Sequence, residues 1–122
     1  MDSFGDYLRS RRENQAAQAR LAGQPVPSLR KIAALAGLEP SYLSKIERGQ
    51  QPPPSEARIV ALALALDEDP DVLLALAGKV STDLRMAILK RPALFGQLIR
   101  ELKNQPDHAV LRIVREVRDG AW

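Results

Sequence analysis

The chain has 122 residues and no cysteine, with 18 Lys and Arg against 15 Asp and Glu for a formal charge of +3. That length suits one helical domain, or a small domain with an appendage, and folding would bury roughly two thirds of the unfolded chain's surface. The composition excludes disulfides and thiolate metal sites, Met1-Asp2-Ser3-Phe4-Gly5-Asp6 lacks the basic-then-apolar layout of a signal peptide, and apolar runs such as Ile59–Leu66 are far too short to span a bilayer.

Ala, Leu, Arg, Glu and Gln dominate and β-branched residues never alternate with polar ones for long, so the expected fold class is all-α. A first helix begins near Ser3, with Phe4, Tyr7 and Leu8 at helical spacing. It runs at least to Arg12 and can continue through Glu13–Leu21. Gly23-Gln24-Pro25-Val26-Pro27 stops it, because two prolines in three residues enforce extended backbone. Ser28 caps a second helix bearing Leu29, Ile32, Ala33 and Leu35, which ends at Gly37. A third helix has Glu39 as cap and Pro40 at its first position, where a missing N–H does no harm, and ends at Gly49. After the stiff Gln50-Gln51-Pro52-Pro53-Pro54, Ser55 caps a fourth, mostly apolar helix that should be buried. Pro70 opens a fifth, which Gly78 stops. Residues 81–90, 92–103 and 106–118 read as three further amphipathic helices. Leu94, Leu98, Ile99 and Leu102 form one stripe, and Val110, Leu111, Val114 and Val117 another. The domain boundary is expected at Gly78–Val80, dividing a domain at 1–78 from a helical extension at 79–122.

The chemistry concentrates between Ser28 and Gly49, two short helices joined by a glycine turn. On the third helix Leu43 and Ile46 share one face, with Leu38 just before it, and should pack inward against Ile32 and Leu35. Ser41, Tyr42, Ser44, Lys45 and Arg48 fall outward. Serine hydroxyls donate to or accept from any base edge, and Lys45 can donate to guanine O6 and N7. Tyr42 can reach a phosphate or lie against a thymine methyl, and Arg48 suits a phosphate. Ser28, Arg30 and Lys31 stand at a helix N-terminus, where free N–H groups favour an anion. The charge balance agrees: from Arg9 to Arg58 nine basic residues face four acidic ones, and four acids then cluster at Asp67, Glu68, Asp69 and Asp71.

Three stretches, Leu8-Arg9-Ser10-Arg11-Arg12, Ser28-Leu29-Arg30-Lys31-Ile32-Ala33 and Gly37-Leu38-Glu39-Pro40-Ser41-Tyr42-Leu43-Ser44-Lys45-Ile46-Glu47-Arg48-Gly49, carry a resemblance to the XRE/Cro/C1-type helix-turn-helix transcriptional regulators. It covers roughly residues 3–77 and is most specific at Tyr42–Gly49. The resemblance implies a five-helix, lambda-repressor-like domain that binds operator DNA as a dimer on an inverted repeat, with base readers at Pro40, Ser41 and Lys45. It also implies a structural ion pair between Arg12 and Glu47. The chain departs from the family pattern at Pro40, which offers only apolar contact. It departs again at Leu29, where the family often has a DNA-contacting Gln, so that Ser28 or Arg30 takes that role. The segment 13–27 is longer than the usual link between the first two helices and reads as a lengthened helix or structural loop, with a loop on the DNA backbone as the alternative.

Arg9 and Arg11 are expected either as phosphate partners or as part of a solvated face. The acids at 67–71 are expected to cap helices, since they lack the spacing of a calcium loop. His108 has no partner for metal or general-base work, and neither a metal, a cofactor nor an enzymatic activity is expected. The two C-terminal stripes exceed what a finished five-helix unit needs, so dimerisation through residues 81–118 is expected, with Trp122 packing across the interface or fraying. The functional expectation is a cytoplasmic, sequence-specific transcriptional repressor with double-stranded DNA and a second copy as partners. The alternative is an antitoxin-like or adaptor protein whose C-terminal helices bind another polypeptide.

Overall fold

A computed structural model describes residues 3–120; Trp122 lies outside the described residues. Among these are eight helices: α1 (Phe4–Leu21), α2 (Leu29–Ala36), α3 (Pro40–Glu47), α4 (Glu56–Ala65), α5 (Pro70–Leu76), α6 (Thr82–Lys90), α7 (Pro92–Leu102) and α8 (Asp107–Asp119). They form two compact units, one ending at Ser81 and one starting at Thr82.

Short polar side chains start most helices of the first unit by satisfying free N–H groups. The hydroxyls of Ser3, Ser28 and Ser55 accept from the N–H groups of Asp6, Lys31 and Arg58, and the Asp69 carboxylate accepts from that of Asp71. Glu39 precedes α3 without a side-chain cap bond; Pro40 in the first turn leaves one fewer N–H to satisfy. Gly37 closes α2 with φ +69°, which lets the Leu38 N–H reach back 2.8 Å to the Ala33 carbonyl.

The core of the first unit joins Phe4 and Leu8 of α1 to Ile32, Ala33 and Ala36 of α2, Leu43 and Ile46 of α3, Ile59, Leu62 and Ala63 of α4, and Leu73 and Leu74 of α5. Leu35 is not part of it. The sequence placed this side chain inward, yet it is 56 % exposed, because α2 offers its Ile32–Ala33–Ala36 face to α4 and turns Leu35 past the contact. Likewise α4 is buried on one face only: Leu64 is exposed and, with Leu35, Ala61 and Ala65, borders a shallow apolar groove.

α1 continues through the 13–21 segment as one helix, and its middle is pinned to the end of α4. Ala16 is buried, and the Gln15 amide donates to the Ala65 carbonyl at 3.2 Å. Arg11, one of the candidate phosphate partners, is occupied in the fold: its Nη2 donates to the Leu66 and Asp67 carbonyls, and its Nε lies 3.2 Å from Glu68 Oε2. Those carbonyls are the free acceptors at the end of α4, where a cation is favoured.

The second unit is built differently. Pro92 opens α7 at its first turn, whereas Pro106 precedes α8 at the cap position. None of α6, α7 and α8 has a fully buried side chain. Leu94, Leu98 and Ile99 of α7 and Leu111, Val114 and Val117 of α8 are all exposed.

Candidate nucleic-acid interface

α3 has two contrasting faces. Leu43, Ile46 and Glu47 are buried, while Ser41, Lys45 and Arg48 are exposed and Pro40, Tyr42 and Ser44 are half-buried. The faces follow from spacing: positions three and four apart stack on one side of a helix, so the core contacts at 43, 46 and 47 leave 41, 45 and 48 outside. Tyr42 is not the purely outward group that its spacing from Leu43 and Ile46 suggests, since it packs against the core. Arg48 lies just past the last turn, its Nε donating to the Ser44 carbonyl at 3.3 Å. Gly49 follows with φ +73°, and the Gln50 N–H closes the turn on the Lys45 carbonyl at 2.8 Å.

Ser28, Arg30 and Lys31 are exposed at the start of α2. The Ser28 hydroxyl already accepts the Lys31 N–H at 3.1 Å, which still leaves its own O–H free to donate. Arg9 is exposed on α1, 3.7 Å from the equally exposed Asp6, a pairing of little energetic weight.

What fixes α3 in place is a charged clamp and two close approaches. Arg12 of α1 donates from Nε to Glu47 Oε2 and from Nη2 to Oε1, both at 2.8 Å. The planar fork matches the carboxylate, and this hydrogen bonding makes Arg12 hold its proton more tightly than usual. Beside the clamp, Gly5 allows α1 to lie against the end of α3; a Cβ there would sit 2.2 Å from the Ile46 carbonyl oxygen. Arg58 of α4 covers the α2–α3 turn, its Nη1 donating to the Ala36 carbonyl at 3.3 Å.

Sequence reasoning missed Gly5 and Arg58 as positioning residues. For Gly5 a signal existed: glycine is unfavourable inside a helix unless another backbone must come close. For Arg58 none did, because its acceptor is 22 positions away along the chain.

The acidic run at 67–71 works within the fold. Asp69 caps α5, and Glu68 accepts from the Asp69 N–H at 2.9 Å and from the Tyr7 hydroxyl. Among the described residues no group of His, Cys, Asp or Glu is arranged to hold a metal ion.

A family described as helix-turn-helix domain matches residues 3–76, more than half of the chain and the whole span from the α1 cap to the end of α5. The chain belongs to the helix-turn-helix domain family. The match agrees with the XRE-type likeness of Tyr42–Gly49, and it supports a DNA-binding regulator. No curated protein and no solved structure matches the chain. No described helix is long and apolar enough to cross a membrane.

Proposed function

We propose that this helix-turn-helix protein is a sequence-specific transcriptional repressor that inserts α3 into the major groove of duplex DNA. The observation that carries the reading is the split of α3 between an inner face locked by Leu43, Ile46 and the Arg12–Glu47 clamp and an outer face where Ser41 and Lys45 stand exposed. A rigid helix with short hydroxyls and one lysine outward can approach base edges closely, and the locked inner face holds it there without reorganisation. In this reading Ser41 and Lys45 supply discrimination, and Pro40 gives apolar contact to a thymine methyl. Tyr42 and Ser44 touch the groove wall, while Ser28, Arg30, Lys31 and Arg48 meet phosphates and set affinity.

The protein acts as a homodimer on an inverted repeat, two copies of α3 meeting half-sites about 34–36 Å apart. The dimer contact is assigned to residues 81–118, whose helices leave apolar stripes uncovered. Gel-shift titration of the full chain against its selected operator tests the reading. Wild type should bind tightly with a steep salt dependence, and Ser41→Ala with Lys45→Ala should lose the preference for operator over random duplex. Equal binding to both duplexes by wild type would overturn it.

A further inference from the structure

Successive residues step about 100° around a helix, which places Asp107, Val110, Leu111, Val114, Val117 and Arg118 within about 60° of Val114 on one face of α8. Arg112, Glu116 and Asp119, all charged, fall on the opposite side and border an open groove. The face around Val114 is therefore apolar along its middle, acidic at its start and basic at its end. Leu111, Val114 and Val117 are 51 %, 50 % and 62 % exposed. Arg118 pairs with its chain neighbour Asp119 at 2.8 Å, an exposed pair that exchanges readily for another carboxylate.

This charge order selects its own partner. Two such faces laid parallel would set Asp107 against Asp107 and Arg118 against Arg118. Laid antiparallel, each acid meets the other copy's base, and the match is reciprocal, as a two-fold interface requires. Asp107 and Arg118 are eleven residues apart, about 16 Å along the axis, and equidistant from a point between Leu111 and Val114. With the two-fold axis through that point, apolar side chains oppose one another along the whole centre.

We propose that two copies of this chain associate through α8 in an antiparallel pair, Leu111 of each copy against the partner's Val114 and Asp107 of each against the partner's Arg118. The proposal rests on the dimer reading above and adds its helix, its direction and its register.

Charge reversal and cross-linking of the full chain, without DNA, test it. Asp107→Arg alone and Arg118→Asp alone should each weaken self-association roughly fivefold or more in sedimentation, since each puts two like-charge contacts into one dimer. Combining the two reversals should restore wild-type association. The dipole of α8 alone would predict the opposite, because the double variant opposes it at both ends. The chain has no cysteine, so Asp107→Cys and Arg118→Cys chains can be mixed under oxidation with helicity followed by circular dichroism. A disulfide joining one variant to the other supports the register. Disulfides joining each variant to itself would overturn the antiparallel register while leaving dimerisation standing. A monomer at every concentration would overturn both, and none of these outcomes depends on whether the protein binds DNA.

Discussion

Arg12 and Glu47, 35 positions apart, form a two-point clamp between the middle of α1 and the last turn of α3, and the carboxylate it holds is only 5 % exposed. Removing the cation leaves a desolvated negative charge beneath the candidate DNA-reading helix. Arg12→Ala should destabilise the chain by about 3 kcal/mol, toward the low end for a broken buried pair because Arg12 itself keeps some solvent contact. Replacing both residues by apolar ones of similar size should recover most of the loss. Urea unfolding of the two variants measures the difference.

Gly5 predicts a second sensitivity. A methyl group at this position would sit 2.2 Å from the Ile46 oxygen and 2.8 Å from that of Glu47, both backbone atoms that cannot swing aside. Gly5→Ala should therefore destabilise by about 1–3 kcal/mol despite alanine's better helix propensity. Gly23→Ala, where nothing lies within 4 Å, should feel only its positive φ of +67°. Thermal unfolding of the pair separates a close approach from backbone strain.

Asp67 offers a gain. It is the one non-glycine residue among those described with positive φ, at 53°, and its neighbour's N–H closes the α4 turn on the Ala63 carbonyl at 2.8 Å. Glycine adopts this conformation without the Cβ penalty, and the Asp67 carbonyl that Arg11 uses stays in place. Asp67→Gly should raise stability by about 0.5–1 kcal/mol, read as a higher denaturation midpoint.

The Tyr7–Glu68–Arg11 cluster predicts a pH dependence. The Tyr7 hydroxyl, the Asp69 N–H and the Arg11 guanidinium together hold the Glu68 carboxyl below the usual carboxylate range. A depressed folded-state pKa gives stability that is fully present above the unfolded value and is lost as pH falls through the folded one. Tyr7→Phe removes the largest cause. It should lower stability near neutrality by about 1 kcal/mol and flatten the acid limb of the stability profile.

Much of this architecture was legible locally. The caps at Ser28 and Ser55, the stop at Gly37 and the prolines at 25 and 27 act on their own neighbours, so each boundary could be read from a few residues. The inner face of α3 was legible as well, because Leu43 and Ile46 repeat at helical spacing. What escaped depended on distant partners. Leu35 looks like a core leucine until the direction of α4 across α2 is known, and Leu64 sits in an apolar run whose burial only the packing decides. Arg11 reads like any exposed arginine near a DNA-binding motif, yet its acceptors lie 55 and 56 positions further on. The candidate DNA-contacting set is different in kind: the sequence and the exposure of α3 nominate it, and DNA must test it.

Selection of bound duplexes from a random library by the full chain is that test, run in parallel for wild type and for Ser41→Ala/Lys45→Ala. The account predicts that wild type enriches an inverted repeat and that the variant loses the preference at the bases facing α3, a loss of roughly 1–3 kcal/mol per contact. Enrichment of the same sequence by both proteins, or of none by wild type at low salt, would contradict it.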